Sequence, residues 1–458
     1  MWRAALVFIV LSFNLSFQVG TVTAEDQYSI LQLTHDPKNH DLDNNQNFSR
    51  DGKWLLYDTR DPGLLESRTI EKVHIETGET VVLYTPKTYI VGQGPGSGAA
   101  SFSPADDRIA FIHGPWAETG LSYDFTVRRG GLVDSDGKNF AFADARDITP
   151  PFTPGALRGG THRHEWDGTG KWLGFTYNDD LMKKRGVDLR TIGVTHFGTP
   201  VQVKDKKENL FEGDGEGFSV LVVRVTPDPK PGTDEISRAA EDSWIGLNGY
   251  KKADGARQLG RAFAGTMKGK NGEELKELFI VDIPDDVTMP GEWGPLEGTG
   301  TTSPAPPQGA SQRRVTWTEN WKHPGVTGTC WASPEGDWIA FLAKDDSGDD
   351  RIFAIRPTGG DPIRIAEIEG GVASSPRWSP DGKRLVAVSK SGRLFVVDAP
   401  DPSGQPDSDS IRWLTEQADG APPEKPVWSP DSRSIAFNRT VDTGKGSFLQ
   451  IFLLTGRI

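Results

Sequence analysis

The chain runs to 458 residues with a formal net charge of -13, 35% hydrophobic residues, 53 glycines, 32 prolines and one cysteine. So acidic a chain offers no basic stripe to neutralise phosphates, which argues against a nucleic-acid partner, and a lone Cys330 excludes an internal disulfide. A mean hydropathy of -0.48, with glycine and proline recurring between short apolar runs, fits a turn-rich all-β protein better than a disordered one.

At the N-terminus, Arg3, an apolar run over 4–17 and Val22-Thr-Ala24 before Glu25 read as a secretory signal peptide, residues 1–24. The run is too short, and too interrupted by Ser12, Asn14 and Ser16, to span a membrane well; an uncleaved anchor is the alternative. A periplasmic or secreted protein of a bacterial envelope is expected, with no stable membrane span after signal cleavage. A strand follows at Ile30-Leu-Gln-Leu-Thr34.

Next comes Phe48-Ser-Arg-Asp-Gly-Lys-Trp-Leu-Leu-Tyr57, the first copy of a phrase that returns at Phe102, Trp166, Trp331, Trp378 and Trp428, with a weaker copy at Phe211. In each copy an aromatic ends one strand, a turn built on Pro, Asp and Gly reverses the chain, and an apolar run opens the next strand. Third runs such as Ile352-Phe-Ala-Ile355 follow. Closing runs stand at Val81-Val-Leu-Tyr-Thr85, Arg146-Asp-Ile-Thr149, Pro200-Val-Gln-Val203, Arg313-Arg-Val-Thr316, Ile363-Arg-Ile-Ala366 and Ile411-Arg-Trp-Leu-Thr415. Four antiparallel strands per repeat make a propeller blade.

Anchors and closing strands alternate along the chain, which begins on a fourth strand and ends on a third, Phe448-Leu-Gln-Ile-Phe-Leu-Leu454. The predicted fold is all-β: a single seven-bladed β-propeller over 25–458, closed by pairing of the N-terminal strand into the last blade, which removes two raw edges. The region 211–316 is expanded. It holds a degenerate copy, Tyr250-Lys-Lys-Ala-Asp-Gly-Ala-Arg257, so an insertion in one blade and an eighth blade both stay open. The Pro/Gly-rich stretch 285–312 reads as an exposed loop.

Because the first strand of each blade lines the central channel, residues just before each anchor should converge. Thr161-His-Arg-His-Glu165 stands out among them. His162 and His164 are expected on one strand face with Arg163 and Glu165 opposite, and two imidazoles on one face suit a divalent transition metal. Loops between second and third strands add Asp58, Arg60 and Asp61 from blade one, His113, Tyr123, Asp124, Arg128 and Arg129 from blade two, and Tyr177, Asn178, Asp179 and Asp180 from blade three. Together these form an expected ligand-binding patch at one side of the channel mouth. The plainer readings are hydrogen-bonded lining for the histidines and loop-holding ion pairs for the charges.

The Trp378-Ser-Pro-Asp-Gly-Lys383 phrase resembles that of TolB-type propellers, which speaks to fold only. Leu33-Thr-His-Asp-Pro-Lys-Asn-His40, Phe111-Ile-His-Gly-Pro115, Gly159-Gly-Thr-His-Arg-His-Glu-Trp166 and Gly249-Tyr-Lys-Lys-Ala-Asp-Gly255 look like the YidR-type family of TolB-like propellers. That resemblance assigns no activity to any residue. Two functions follow as expectations. The first is a binding or scaffolding propeller for a protein or a small polar or anionic ligand at the channel mouth. The second is a metal-dependent polysaccharide lyase or hydrolase using the His162-Arg-His-Glu165 segment, motivated by that segment together with a similarity in kind to oligogalacturonate lyase, a TolB-like propeller with a histidine-bound metal. A peptidase propeller is excluded, since the chain has no Gly-x-Ser-x-Gly elbow and no room for a hydrolase domain.

Overall fold

The computed structural model describes residues 28–60, 68–90, 94, 96–401, 410–416 and 420–458. The expected signal segment and Asp61 lie outside the described residues. Six four-stranded antiparallel sheets and one three-stranded sheet form a seven-bladed β-propeller.

The repeated phrase builds its turn by local hydrogen bonding. In Ser379-Pro-Asp-Gly382 the serine hydroxyl donates to Asp381 at 2.5 Å and accepts from the Arg384 N–H at 3.0 Å, while Asp381 accepts from the Lys383 N–H at 3.1 Å. Ser49 with Asp51, and Ser429 with Asp431, repeat the same three bonds. The fourth position needs positive φ. Gly52 and Gly382 supply it at 71°, and Ser432 adopts it at 59° where the copy lacks glycine.

The anchor tryptophans do two jobs. They pack between blades, and in four of them the indole N–H reaches back to a backbone carbonyl of the preceding blade, whereas that of Trp331 has no partner among the described residues. Trp166 donates to Ser101 at 3.3 Å, Trp244 to Glu165 at 2.8 Å, Trp378 to Trp331 at 2.8 Å and Trp428 to Arg377 at 3.0 Å.

Closure occurs as expected. Tyr28–Gln32 pairs antiparallel with the third strand of blade seven, Ser447–Gly456, in the register Tyr28 to Gly456 through Gln32 to Phe452. Just beyond, the Leu33 N–H donates to Ile451 at 2.8 Å and the Thr34 hydroxyl accepts from the Ile451 N–H at 2.9 Å.

Blades two to four depart from the sequence reading. The fourth strand of blade two is Ala141–Phe142; Arg146 belongs instead to a short parallel pairing of Ala145–Arg146 with Ala156–Leu157. In blade three the third strand, Arg190–Val201, takes in the first half of the expected closing run at 200–203, and Gly215–Leu221 is the fourth. The weak copy at Phe211 therefore opens no blade. Its ring is buried against Phe142 at a centroid distance of 5.6 Å.

Blade four opens with Ile236–Trp244, so Trp244 is its anchor. The degenerate copy at 250–257 is a small hairpin, Tyr250–Lys251 with Arg257–Gln258, inserted between the first two strands of that blade. Seven blades, with an insertion, is the outcome. The 285–312 stretch is not a free loop either. Val287, Leu296 and Ala305 are buried, and Arg158 of blade three grips it through the carbonyls of Thr299 and Thr302.

Candidate functional site

A β-bulge recurs in the innermost strands. Pairing slips between Gly98 and Ser101, His162 and Glu165, Ala240 and Ser243, Thr327 and Trp331, and Glu424 and Val427. Each bulge is centred on the third residue before the anchor: Ala99, Arg163, Glu241, Gly328 and Lys425, all with φ between 50° and 71°. A bulge leaves one residue outside the ladder and re-aims its side chain. Here three of the five carry charge.

These side chains meet across the bore. Arg163 donates to the Thr329 hydroxyl of blade five at 3.1 Å, and that hydroxyl donates to Glu241 of blade four at 3.1 Å. Lys425 of blade seven pairs with Asp41 at 2.5 Å, and Arg377 of blade six donates to Asn45 at 2.8 Å. Arg60 forks Asp58 at 2.7 Å and 3.1 Å and reaches Asp43 at 3.0 Å; Asp58 also accepts from the Ala99 N–H at 2.7 Å. Burial and the neighbouring Asp58 push Asp41 up to about 6, against the pull of Lys425. Asp43 is shifted down: burial opposes this, but Arg60, Lys425 and Arg163 outweigh it.

His162 and His164 do not share a face. Thr161 and His162 are regularly paired neighbours and so point to opposite sides. The bulge at Arg163 then returns His164 to the Thr161 side, where its Nε2 lies 3.0 Å from the Thr161 hydroxyl. His164 is fully buried between blades, so close to Gly130 that a Cβ there would meet its Nε2 at 2.9 Å. His162 instead lies beside Thr176 at 3.4 Å. Burial, then the positive field of Arg128, Arg190, Arg163 and Arg60, holds His162 well below the usual histidine range. That field opposes a divalent cation as well as a proton. Among the described residues no group of three His, Cys, Asp or Glu side chains could hold a metal ion, and the residues present do not fit one at this histidine pair.

Several other candidates are structural. His113 sits in the blade-two core, its Nδ1 facing the Gly114 carbonyl at 2.5 Å and its Nε2 accepting from the Tyr84 hydroxyl at 2.6 Å. Arg129 donates to the carbonyls of Asp144, at 2.7 Å and 3.2 Å, and Asp214, and lies over the Phe142 ring at 3.9 Å. Tyr177 and Asp179 join Arg158 in the buried clasp on the 285–312 strap, with the Tyr177 hydroxyl 3.1 Å from Asp179 and Arg158 2.8 Å from it. Asp179 also caps the short helix Asp180–Lys184. Asp124 pairs with Lys183 of that helix at 2.8 Å. Glu165 is bound by Arg261 at 3.1 Å and by the Trp244 N–H at 3.2 Å, stitching blade three to blade four.

That leaves Arg128, His162 and the Asp58–Arg60 pair as expected residues that reach the bore, with Tyr123 beside Arg128. Arg163, Arg377 and Lys425, which stand among the residues just before the anchors, join them, as do Arg190 and Glu241, which the sequence reading did not include. Burial, then Arg238 and Arg128, lowers the Arg190 guanidinium to about 10, a second sign that this wall is strongly positive.

Burial drives the His113 imidazole down to about 3. The unfolded chain accepts a proton that the fold refuses, so this residue costs stability as pH falls below 6.5, down to about 3. Urea denaturation of the wild type and His113→Gln should show their stability gap narrowing by about 2 kcal/mol between roughly pH 7 and pH 5. An unchanged gap would mean that the ring protonates in place.

The family described as "Protein of unknown function (DUF3748)" matches residues 96–210. The protein "Uncharacterized protein YidR" of Escherichia coli (strain K12) is 36% identical over 429 residues, covering 91% of this chain and 96% of that one. The chain belongs to the YidR family. The stretch matched by the family model carries Arg128, His162 and Arg190. Among solved structures, an oligogalacturonate lyase in complex with manganese aligns with a TM-score of 0.54 and 13% identity over 93% of both chains. The oligogalacturonate lyase of Vibrio parahaemolyticus gives 0.53 and 12% over 95% of both. At such identity these likenesses extend to the propeller fold alone.

Proposed function

We propose that this protein is an exported binding propeller that takes a small polar ligand into the mouth of its bore. The repeated bulge carries this reading. A non-glycine residue at positive φ costs on the order of 1–3 kcal/mol and persists where the surrounding structure imposes it. Blade five meets the same need with Gly328, yet blades three, four and seven spend that strain on Arg163, Glu241 and Lys425. Charged side chains of both signs, turned inward and only partly matched to one another, suit a ligand with several polar groups. The exported setting rests on the signal-like segment 1–24; among the described residues no helix is long and apolar enough to cross a membrane.

The test is a thermal-shift survey of hexoses, hexuronates, amino acids, acetate and phosphate on the full chain. At least one compound should stabilise the wild type. The double variant Arg163→Gly/Glu241→Gly, which relieves two strained positions, should keep or gain intrinsic stability and lose most of that response. No stabilising compound, or an undiminished response in the variant, contradicts the proposal.

A further inference from the structure

Three arginines on this side of the ring, two of them buried and Arg60 half-buried, share one grip. Nε and Nη2, the two donors on one edge of the guanidinium, hold a carboxylate: Asp58 for Arg60, Asp179 for Arg158 and Asp242 for Arg261. Arg129 and Arg146, which lack that grip, still bond backbone carbonyls. Arg128 has neither a carboxylate nor a carbonyl on its guanidinium among the described residues. It is only 3% exposed, yet among the described residues its Nε and Nη2 have no hydrogen-bond partner. Among the described residues its guanidinium makes one hydrogen bond, a 3.5 Å contact from Nη1 to the Tyr123 hydroxyl.

A buried guanidinium left unpaired costs several kcal/mol. Its surroundings make matters worse. Arg128 and Arg190 both add to the positive field at His162, and each cation raises the cost of the other. Arg129, on the strand Arg129–Asp134, bonds the carbonyls of Asp144 and Asp214, while Arg128, one residue before that strand, lies near enough to His162 to add to the field there.

We infer that Arg128, His162 and Arg190 form an anion subsite in the wall of the bore, which takes the carboxylate or phosphate group of the ligand proposed above. The inference rests on that reading and adds to it the ligand's charge and its anchoring point. The free edge of Arg128 forks two oxygens, as the same edge of Arg60 forks Asp58. Arg190 adds charge, and neutral His162 adds one ring N–H donor. Tyr123 lies half-buried over the guanidinium, its hydroxyl 3.5 Å from Nη1.

The experiment uses the full chain as wild type, Arg128→Met and Arg128→Lys, titrated with sodium phosphate, sodium acetate and neutral glucose at fixed ionic strength by calorimetry and thermal shift. Without ligand, Arg128→Met should melt above the wild type, because it removes an uncompensated buried charge. Phosphate or acetate should bind the wild type and bind Arg128→Met about tenfold or more weakly. Arg128→Lys, which keeps the charge but not the fork, should fall between them. The anion that binds more tightly identifies the source group, and either one supports the subsite. Equal anion binding by wild type and Arg128→Met overturns it. Binding of glucose without any response to anions also overturns it, yet leaves the bore proposal standing. No response to any compound, in this set or in the survey above, removes both.

Discussion

Arg261→Met should destabilise the propeller by about 3–5 kcal/mol. The guanidinium is buried between blades three and four, where it holds Asp242 at 2.5 Å and 2.9 Å and Glu165 at 3.1 Å, and lies over the Trp244 ring at 4.6 Å. Removing it leaves two carboxylates out of water with no cation. Burial, then repulsion from Asp242, already raises Glu165 despite Arg261. Packing alone would not be lost, since methionine fills most of the same volume. Neutralising all three, as Arg261→Met/Glu165→Gln/Asp242→Asn, should recover most of the loss, because the penalty lies in the unpaired charge. Urea denaturation of the three proteins measures this. A single variant as stable as the wild type would mean that solvent reaches the triad.

Deletion of residues 28–34 should cost at least about 3 kcal/mol and cause association. Ile30 and Leu31 on the closing strand are 41% and 55% exposed, so the strand contributes little by burying its own side chains. Its contribution is the backbone ladder to Phe452–Gly456, the buried Leu33 and the Thr34 hydroxyl on Ile451. Loss of a buried leucine alone is worth about 2–5 kcal/mol. The uncovered edge of Ser447–Gly456 would then offer a row of unpaired donors and acceptors to a second chain. Denaturation and light scattering on the truncated protein test both parts. Wild-type stability with no association would show that the ring does not depend on this closure.

Most of the fold was legible because its signals are local. The aromatic anchor, the Ser-Asp-Gly turn and the apolar second strand lie within ten residues of one another, and the turn bonds at Ser49, Ser379 and Ser429 explain why those residue types recur. Reading failed where the phrase was interrupted or imitated. Trp244 anchors blade four, but the hairpin at 250–258 separates it from its second strand. Phe211-Glu-Gly-Asp-Gly has the composition of an anchor and turn, yet its ring serves the aromatic cluster around Phe142. Arg146-Asp-Ile-Thr149 reads as a closing run, yet the Arg146 side chain bonds the carbonyls of Thr126 and Gly159.

The site was less legible for a specific reason. Period-two alternation assigns faces only in an unbulged strand, and the bulge at Arg163 inverts the relation between His162 and His164. What could have signalled it is the spacing itself: Arg163, Glu241 and Lys425 all stand third before an anchor tryptophan. Arg128 was singled out as a polar residue near the channel, but its lack of a partner is a property of three-dimensional packing. Neither composition nor spacing reports that.

The most direct measurement is a crystal structure of the wild-type protein grown in sodium phosphate or acetate. The account predicts one bound anion bridging Nε and Nη2 of Arg128, with Arg190 and His162 against its other oxygens. A fork still covered by apolar atoms, with any bound anion elsewhere, would contradict it.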